Sequence, residues 1–289
     1  MAADLLVSTD WLAEHLTDGH VRVVDMRGSV VTTQVSPGVE QADYRGARTE
    51  YLAGHIPSAA YVDWTADIID PDDPVPVQIA PPDRFADAMA ERGIGDETLV
   101  IAADHAGGQF ATRLWWALNY YGHDQVRVLN GGWNKWLKEG RPVEAGEVTV
   151  PRAHFTPRVR PKLRVTAEQL AGLLDHPDHD WQLADARDAG QFTAAKRRGP
   201  RGGHIPGAVH VPRELFFSPE GGFLPLEDIR ARVAEHGLRS GRPTVAYCNG
   251  GVAATVVLFN LARLGFTDLA NYDGSWNEWS GRLDLPVER

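Results

Sequence analysis

Short apolar runs alternate along this chain with longer stretches whose apolar residues return every three or four positions. Val21–Asp25, residues 98–103, Gln182–Asp185 and Thr244–Tyr247 are short and mostly apolar, and they read as buried strands. Residues 98–103 and Thr244–Tyr247 are each followed by a glycine-bearing turn and an amphipathic stretch. Ala111, Leu114, Trp115 and Leu118 share one helical face in the first stretch. Ala253, Val257, Leu261 and Leu264 share one in the second, where the helix is predicted to begin near Val252. Gly122 and Gly265 stand where a helix-terminating glycine is expected. This order predicts an α/β fold with a mainly parallel central sheet flanked by helices, and ligands beyond the carboxyl ends of its strands.

The pattern occurs twice. Gly131-Gly132-Trp133-Asn134-Lys135-Trp136 returns as Gly274-Ser275-Trp276-Asn277-Glu278-Trp279, and Pro142-Val143-Glu144 as Pro286-Val287-Glu288. Gly54-His55-Ile56-Pro57 matches Gly203-His204-Ile205-Pro206, and Asp25-Met26-Arg27 matches Asp185-Ala186-Arg187. These matches keep one order, at spacings of about 143 to 160 residues, far beyond a solenoid repeat, so they describe a tandem duplication. Residues 148–162 hold three prolines, several positive charges and no helical period, as an extended linker would. The expected division is 1–145, a linker over 146–162, and 163–289.

Composition narrows the function. With 29 basic and 39 acidic side chains the net charge is −10, which repels nucleic acid and anionic lipid. No apolar run is long enough to cross a bilayer. Residues 1–4 show no secretion signal, so the cytoplasm is expected. The lone cysteine, Cys248, excludes an internal disulfide and a four-cysteine zinc site. It is either an inert small hydrophobe or a nucleophile.

Its position favours the nucleophile. Cys248 directly follows the strand Thr244–Tyr247 and precedes Asn249-Gly250-Gly251-Val252-Ala253-Ala254. Adjacent glycines allow a tight loop whose N–H groups turn inward, and the next helix adds unpaired donors at its N-terminus. Such a setting stabilises an anionic sulfur, whether thiolate or persulfide. In the first copy the equivalent position is Asp104, which cannot carry transferable sulfur. That copy is expected to be catalytically inactive and to form one wall of a cleft.

The Asp-x-Arg strand ends, the Gly-His-Ile-Pro turns, the Cys-x-Gly-Gly-Val-Ala loop and the Gly-x-Trp-x-x-Trp segments together resemble the tandem-domain rhodaneses. That family includes thiosulfate and 3-mercaptopyruvate sulfurtransferases. The resemblance runs from about Trp11 to Val287 and implies two rhodanese-like domains, with catalysis in the second. It also implies a Cys248 persulfide, with Arg187 pairing with the anionic part of a small sulfur donor. The amides of Asn249, Gly250, Gly251, Val252, Ala253 and Ala254 would hold the sulfur's charge. A nucleophilic acceptor, cyanide or a thiol, then removes the outer sulfur, and no metal or organic cofactor is required.

Arg187 recurs as Arg27 in the copy without cysteine, so a purely structural pair with Asp185 is the competing role. Lys196, Arg197 and Arg198 belong to a basic stretch found only in the second copy. They are candidates for the local positive field that an acidic protein needs at an anion site. The tryptophans and the turn histidines, His55 and His204, read as packing residues. Thiosulfate-preferring members carry basic residues where Asn249 and Gly250 stand, and mercaptopyruvate-preferring members tend to read Cys-Gly-Ser-Gly. The latter also often show Arg-Phe where this chain has Gln191-Phe192, so neither donor is singled out, with a slight lean to thiosulfate. Phosphatases of this fold place an Arg six residues after the cysteine; here that residue is Ala254. A persulfide carrier or interaction module that does not turn over is the non-enzymatic alternative.

Overall fold

The computed structural model describes residues 5–176 and 180–289. Residues 1–4, read above for a secretion signal, lie outside it.

The first half forms a parallel five-stranded sheet from β1 (Leu6–Val7), β2 (Val21–Asp25), β5 (Ala60–Tyr61), β6 (Leu99–Ala103) and β7 (Val126–Leu129). Between β2 and β5 come β3 (Gly28–Ser36) and β4 (Val39–Gly46), paired antiparallel. The second half forms its own parallel sheet from β8 (Arg164–Val165), β9 (Gln182–Asp185), β11 (Val209–His210), β12 (Thr244–Tyr247) and β13 (Leu269–Tyr272). The remaining strand, β10 (Arg197–Arg198), joins the β3–β4 hairpin of the first half.

Strand orders are β1-β7-β6-β2-β5 and β8-β13-β12-β9-β11, the same topology twice. Register makes the equivalence residue by residue: Asp25 lies opposite Ala103, and Asp185 opposite Tyr247. Asp104 and Cys248 therefore leave corresponding strands at corresponding points. Among the four expected strands, three match their predicted spans and the fourth begins one residue later, at Leu99.

One expectation is corrected. The helices Gln109–Tyr120 and Ala254–Arg263 do not present a polar face to water; residues 109–118 and 254–261 are all buried. Each covers its own sheet and packs against the other, with Trp115 and Phe259 edge to face at 5.2 Å. Thr112 and Thr255 hydroxyls meet at 2.9 Å between them. A helix enclosed on both sides loses the amphipathic requirement. Both helices end in left-handed glycines, Gly122 and Gly265 (φ 85° and 88°), as the pattern predicted. The second helix begins at Ala254 rather than Val252.

The principal core runs across this contact and includes Cys248, while two smaller clusters fill the outer faces of the sheets. Trp136, Trp276 and Trp279 are fully buried. The segment after residue 147 has no regular structure until Pro161, but it is anchored on the first half. Phe155 is buried there, Ala153 N–H donates to the Ala90 carbonyl, and Arg158 N–H to that of Tyr121.

Candidate active site

A cavity of about 390 Å³ opens between the halves at the carboxyl ends of β9 and β12. Cys248, Asn249, Gly250, Val252, Ala253, Arg187 and Gln191 line it from the second half. Val30, Thr32, Tyr44, Trp64, Val77 and His105 line it from the first. Cys248 is only 4% exposed, and that remaining exposure faces this cavity.

The first half shows what the loop is built to hold. Four backbone amides converge on the Asp104 carboxylate: Ala106 and Gly108 at 2.9 Å on one oxygen, Phe110 at 2.7 Å and Ala111 at 2.9 Å on the other. In the second half the register places Gly250, Val252 and Ala254 at the first three of these positions. Their N–H groups donate to nothing among the described residues, because the Cys248 side chain is too short to reach them as the Asp104 carboxylate reaches its own. The same cradle is filled by an anion in one copy and left open beside a thiol in the other.

Ser275, which sequence reasoning missed, fixes that loop. Its buried hydroxyl accepts from Cys248 N–H at 3.1 Å and Gly251 N–H at 2.9 Å, and donates to the Tyr272 carbonyl. Ser275 has φ 51°, a strained conformation for a side-chain-bearing residue, where the first half has Gly132 at φ 53°. The only sequence signal was the Gly-to-Ser change within the repeat. Ser275→Ala keeps the strain and leaves two buried donors unpaired, so a lower thermal midpoint, reflecting a loss of about 1–3 kcal/mol, is expected.

Behind the loop, Gly251 carbonyl accepts from Arg113 Nη1 and Asn271 Nδ2. Arg113, from the first half, pairs with Asp273 at 2.5 Å, with side-chain exposures of 1% and 0%. Asp273 also accepts from Ile79 N–H. Gly250 has no room for a side chain, since a Cβ there would lie 2.6 Å from Val77 Cγ2.

Arg187 is held by its neighbours. Its Nε contacts both Asp185 oxygens, its Nη2 reaches Asp185 and the Gly203 carbonyl, and its guanidinium lies 4.3 Å from the Trp276 ring centre. Arg27 repeats the arrangement with Asp25, Gly54 and Trp133, so this clamp belongs to the fold of both copies. What distinguishes Arg187, a residue that lines the cavity, is a buried Nη1 without a partner among the described residues. Arg198 is similar: Nη2 donates to Thr32, and its buried Nε has no partner among the described residues. Lys196 pairs instead with Glu40 at 3.3 Å, and Arg197 donates to the Pro200 carbonyl; neither lines the cavity. Asn249 Nδ2 donates to Gln191, which donates to Glu40, tying the cysteine loop to the β3–β4 hairpin.

The rhodanese-like domain model matches residues 8–139 and again 166–282, and the chain belongs to this family. It is 36% identical over 291 residues to the 3-mercaptopyruvate sulfurtransferase of Escherichia coli K12, covering 100% of this chain and 99% of that protein. It is 34% identical over 287 residues to the thiosulfate sulfurtransferase of Bos taurus, covering 96% of this chain and 92% of that one. Among solved structures, SseA from Escherichia coli, described as showing the rhodanese fold of 3-mercaptopyruvate sulfotransferases, superposes with a TM-score of 0.82. That match has 33% identity and covers 94% of this chain and 99% of the other. Among the described residues, no helix is long and apolar enough to cross a membrane.

Proposed function

We propose that the protein is a cytoplasmic sulfurtransferase that moves a sulfane sulfur from a small anionic donor, thiosulfate or 3-mercaptopyruvate, to cyanide or a thiol through a Cys248 persulfide. The observation that carries this reading is the Asp104 carboxylate bound by four amides at the position corresponding to Cys248. A persulfide extends cysteine by one atom and adds a negative charge, which is what the open amides of Gly250, Val252 and Ala254 suit. Asn249, Gly251 and Ala253 complete the loop, Gly251 by locking its turn (φ 70°) rather than by facing the ligand.

Two displacements follow. The Cys248 thiolate attacks the donor's outer sulfur, forming an S–S bond as sulfite leaves thiosulfate, or as the pyruvate enolate leaves 3-mercaptopyruvate and takes up a proton. The acceptor then attacks the outer sulfur and the thiolate returns. Arg187 and Arg198, which both line the cavity, are the candidates to meet the donor's anionic end, with Arg187 also serving the fold. Lys196 and Arg197 would act only at longer range. The relatives named above support this activity, and their names divide between the two donors.

The test is thiocyanate production from cyanide with each donor in turn. Turnover with either one is expected, thiosulfate being the first to try. Retention of one sulfur without any turnover would instead identify a carrier. No retention and no turnover would contradict the proposal.

A further inference from the structure

Tyr44 comes from β4 of the half that lacks the cysteine, yet it lines the cavity with Cys248. Its ring packs edge to face on Trp64 at 5.7 Å, which sets its direction. Its phenol oxygen accepts a hydrogen bond from Asn277 Nδ2 at 3.1 Å. Asn277 is itself bound to the cysteine loop, its N–H donating to the Asn249 carbonyl at 2.8 Å. The phenol oxygen would stand 3.7 Å from a Cβ built on Gly250, whose amide is one of the open donors. Because the oxygen already accepts from Asn277, its own proton remains to be donated, and it has no acceptor among the described residues. A half-buried hydroxyl with an unspent donor, anchored to the loop it faces, suits an anion placed between them.

We propose that Tyr44 is a catalytic residue supplied by the inactive half, donating a hydrogen bond to the sulfur under transfer. The inference rests on the sulfurtransferase reading above and deepens it. With thiosulfate, the Cys248 thiolate forms the new S–S bond while the bond to sulfite breaks and its electron pair leaves on sulfite. Negative charge then resides on the terminal sulfur. The Tyr44 proton stays on its oxygen throughout, adding a neutral fourth donor to the amides of Gly250, Val252 and Ala254. The β3–β4 hairpin is thereby part of the reacting site, and the second half alone lacks one of its donors.

The test compares wild type and Tyr44→Phe in two measurements on the full chain. One is the rate of sulfur loading from thiosulfate, followed by intact mass; the other is the rate of Cys248 alkylation by iodoacetamide. Phenylalanine keeps the contact with Trp64 and removes only the hydroxyl. Loading is expected to slow about 10- to 100-fold, the effect of one hydrogen bond to a charged group. Alkylation, which reports the thiolate and the loop around it, is expected to stay within about twofold, since the amide cradle that holds the sulfur is intact. Unchanged loading would overturn the proposal. So would an equal fall in loading and alkylation, which would mean that Tyr44 only shapes the loop. A wild-type protein that takes up no sulfur would overturn the sulfurtransferase reading, and this proposal with it.

Discussion

Cys248→Ala is expected to reduce thiocyanate production to the uncatalysed background, a loss of at least about 10⁴-fold, as removal of a covalent nucleophile does elsewhere. No other side chain can take over. Cys248 is the chain's only cysteine, and its counterpart in the repeat is a carboxylate already saturated by four amides. The fold should survive, because the loop is held through the backbone of residue 248. Its N–H donates to Ser275 and its carbonyl accepts from Trp276 N–H, and alanine retains both. Matching circular dichroism with activity lost is the expected pair of results. A variant that still turns over at the wild-type rate would move the chemistry elsewhere.

Arg113→Met is expected to be among the most damaging substitutions outside the cysteine loop. Arg113 and Asp273 are buried together at the junction of the halves, and removing the cation leaves an uncompensated carboxylate in the core. Arg164 approaches the same carboxylate at 3.6 Å, but its side chain is 31% exposed and makes a looser contact. Breaking a buried pair from one side typically costs about 3–5 kcal/mol. The same guanidinium also donates to the carbonyls of Gly251 and Val77, so the cysteine loop loses a brace as well. Thermal unfolding should show a much lower midpoint, and sulfur loading should slow. The double variant Arg113→Met, Asp273→Leu should recover part of the stability, since no buried charge is left alone. If the single variant unfolds like wild type, the pair does not hold the halves together.

The repeat made much of this architecture legible. Matched Asp-x-Arg, Gly-His-Ile-Pro and Gly-x-Trp-x-x-Trp segments are local, so they could be read along the chain and aligned with each other. The same alignment placed Asp104 opposite Cys248, and the parallel registers of β6 and β12 bear that out. Legibility failed where a contact joins distant residues. Arg113 meets Asp273, and Tyr44 meets Asn277, across the interface between halves, and nothing near either residue announces its partner. The helices misled for a related reason: an apolar face was evident, but the cover on the opposite side comes from the other copy. The β3–β4 hairpin did carry a signal, Pro37-Gly38 after the β-branched run Val30-Val31-Thr32-Thr33, that marks a turn at the end of a strand. Its pairing with β10, which brings Arg198 to the cavity, depends on how the halves meet.

The central claim is that the open amides beside Cys248 exist to hold a sulfur anion. Incubating the protein with thiosulfate, removing excess donor and measuring intact mass tests it most directly. A gain of about 32 Da that cyanide removes, and that Cys248→Ala never acquires, is the predicted result. An unchanged mass, or a gain that persists in the alanine variant, would contradict the account.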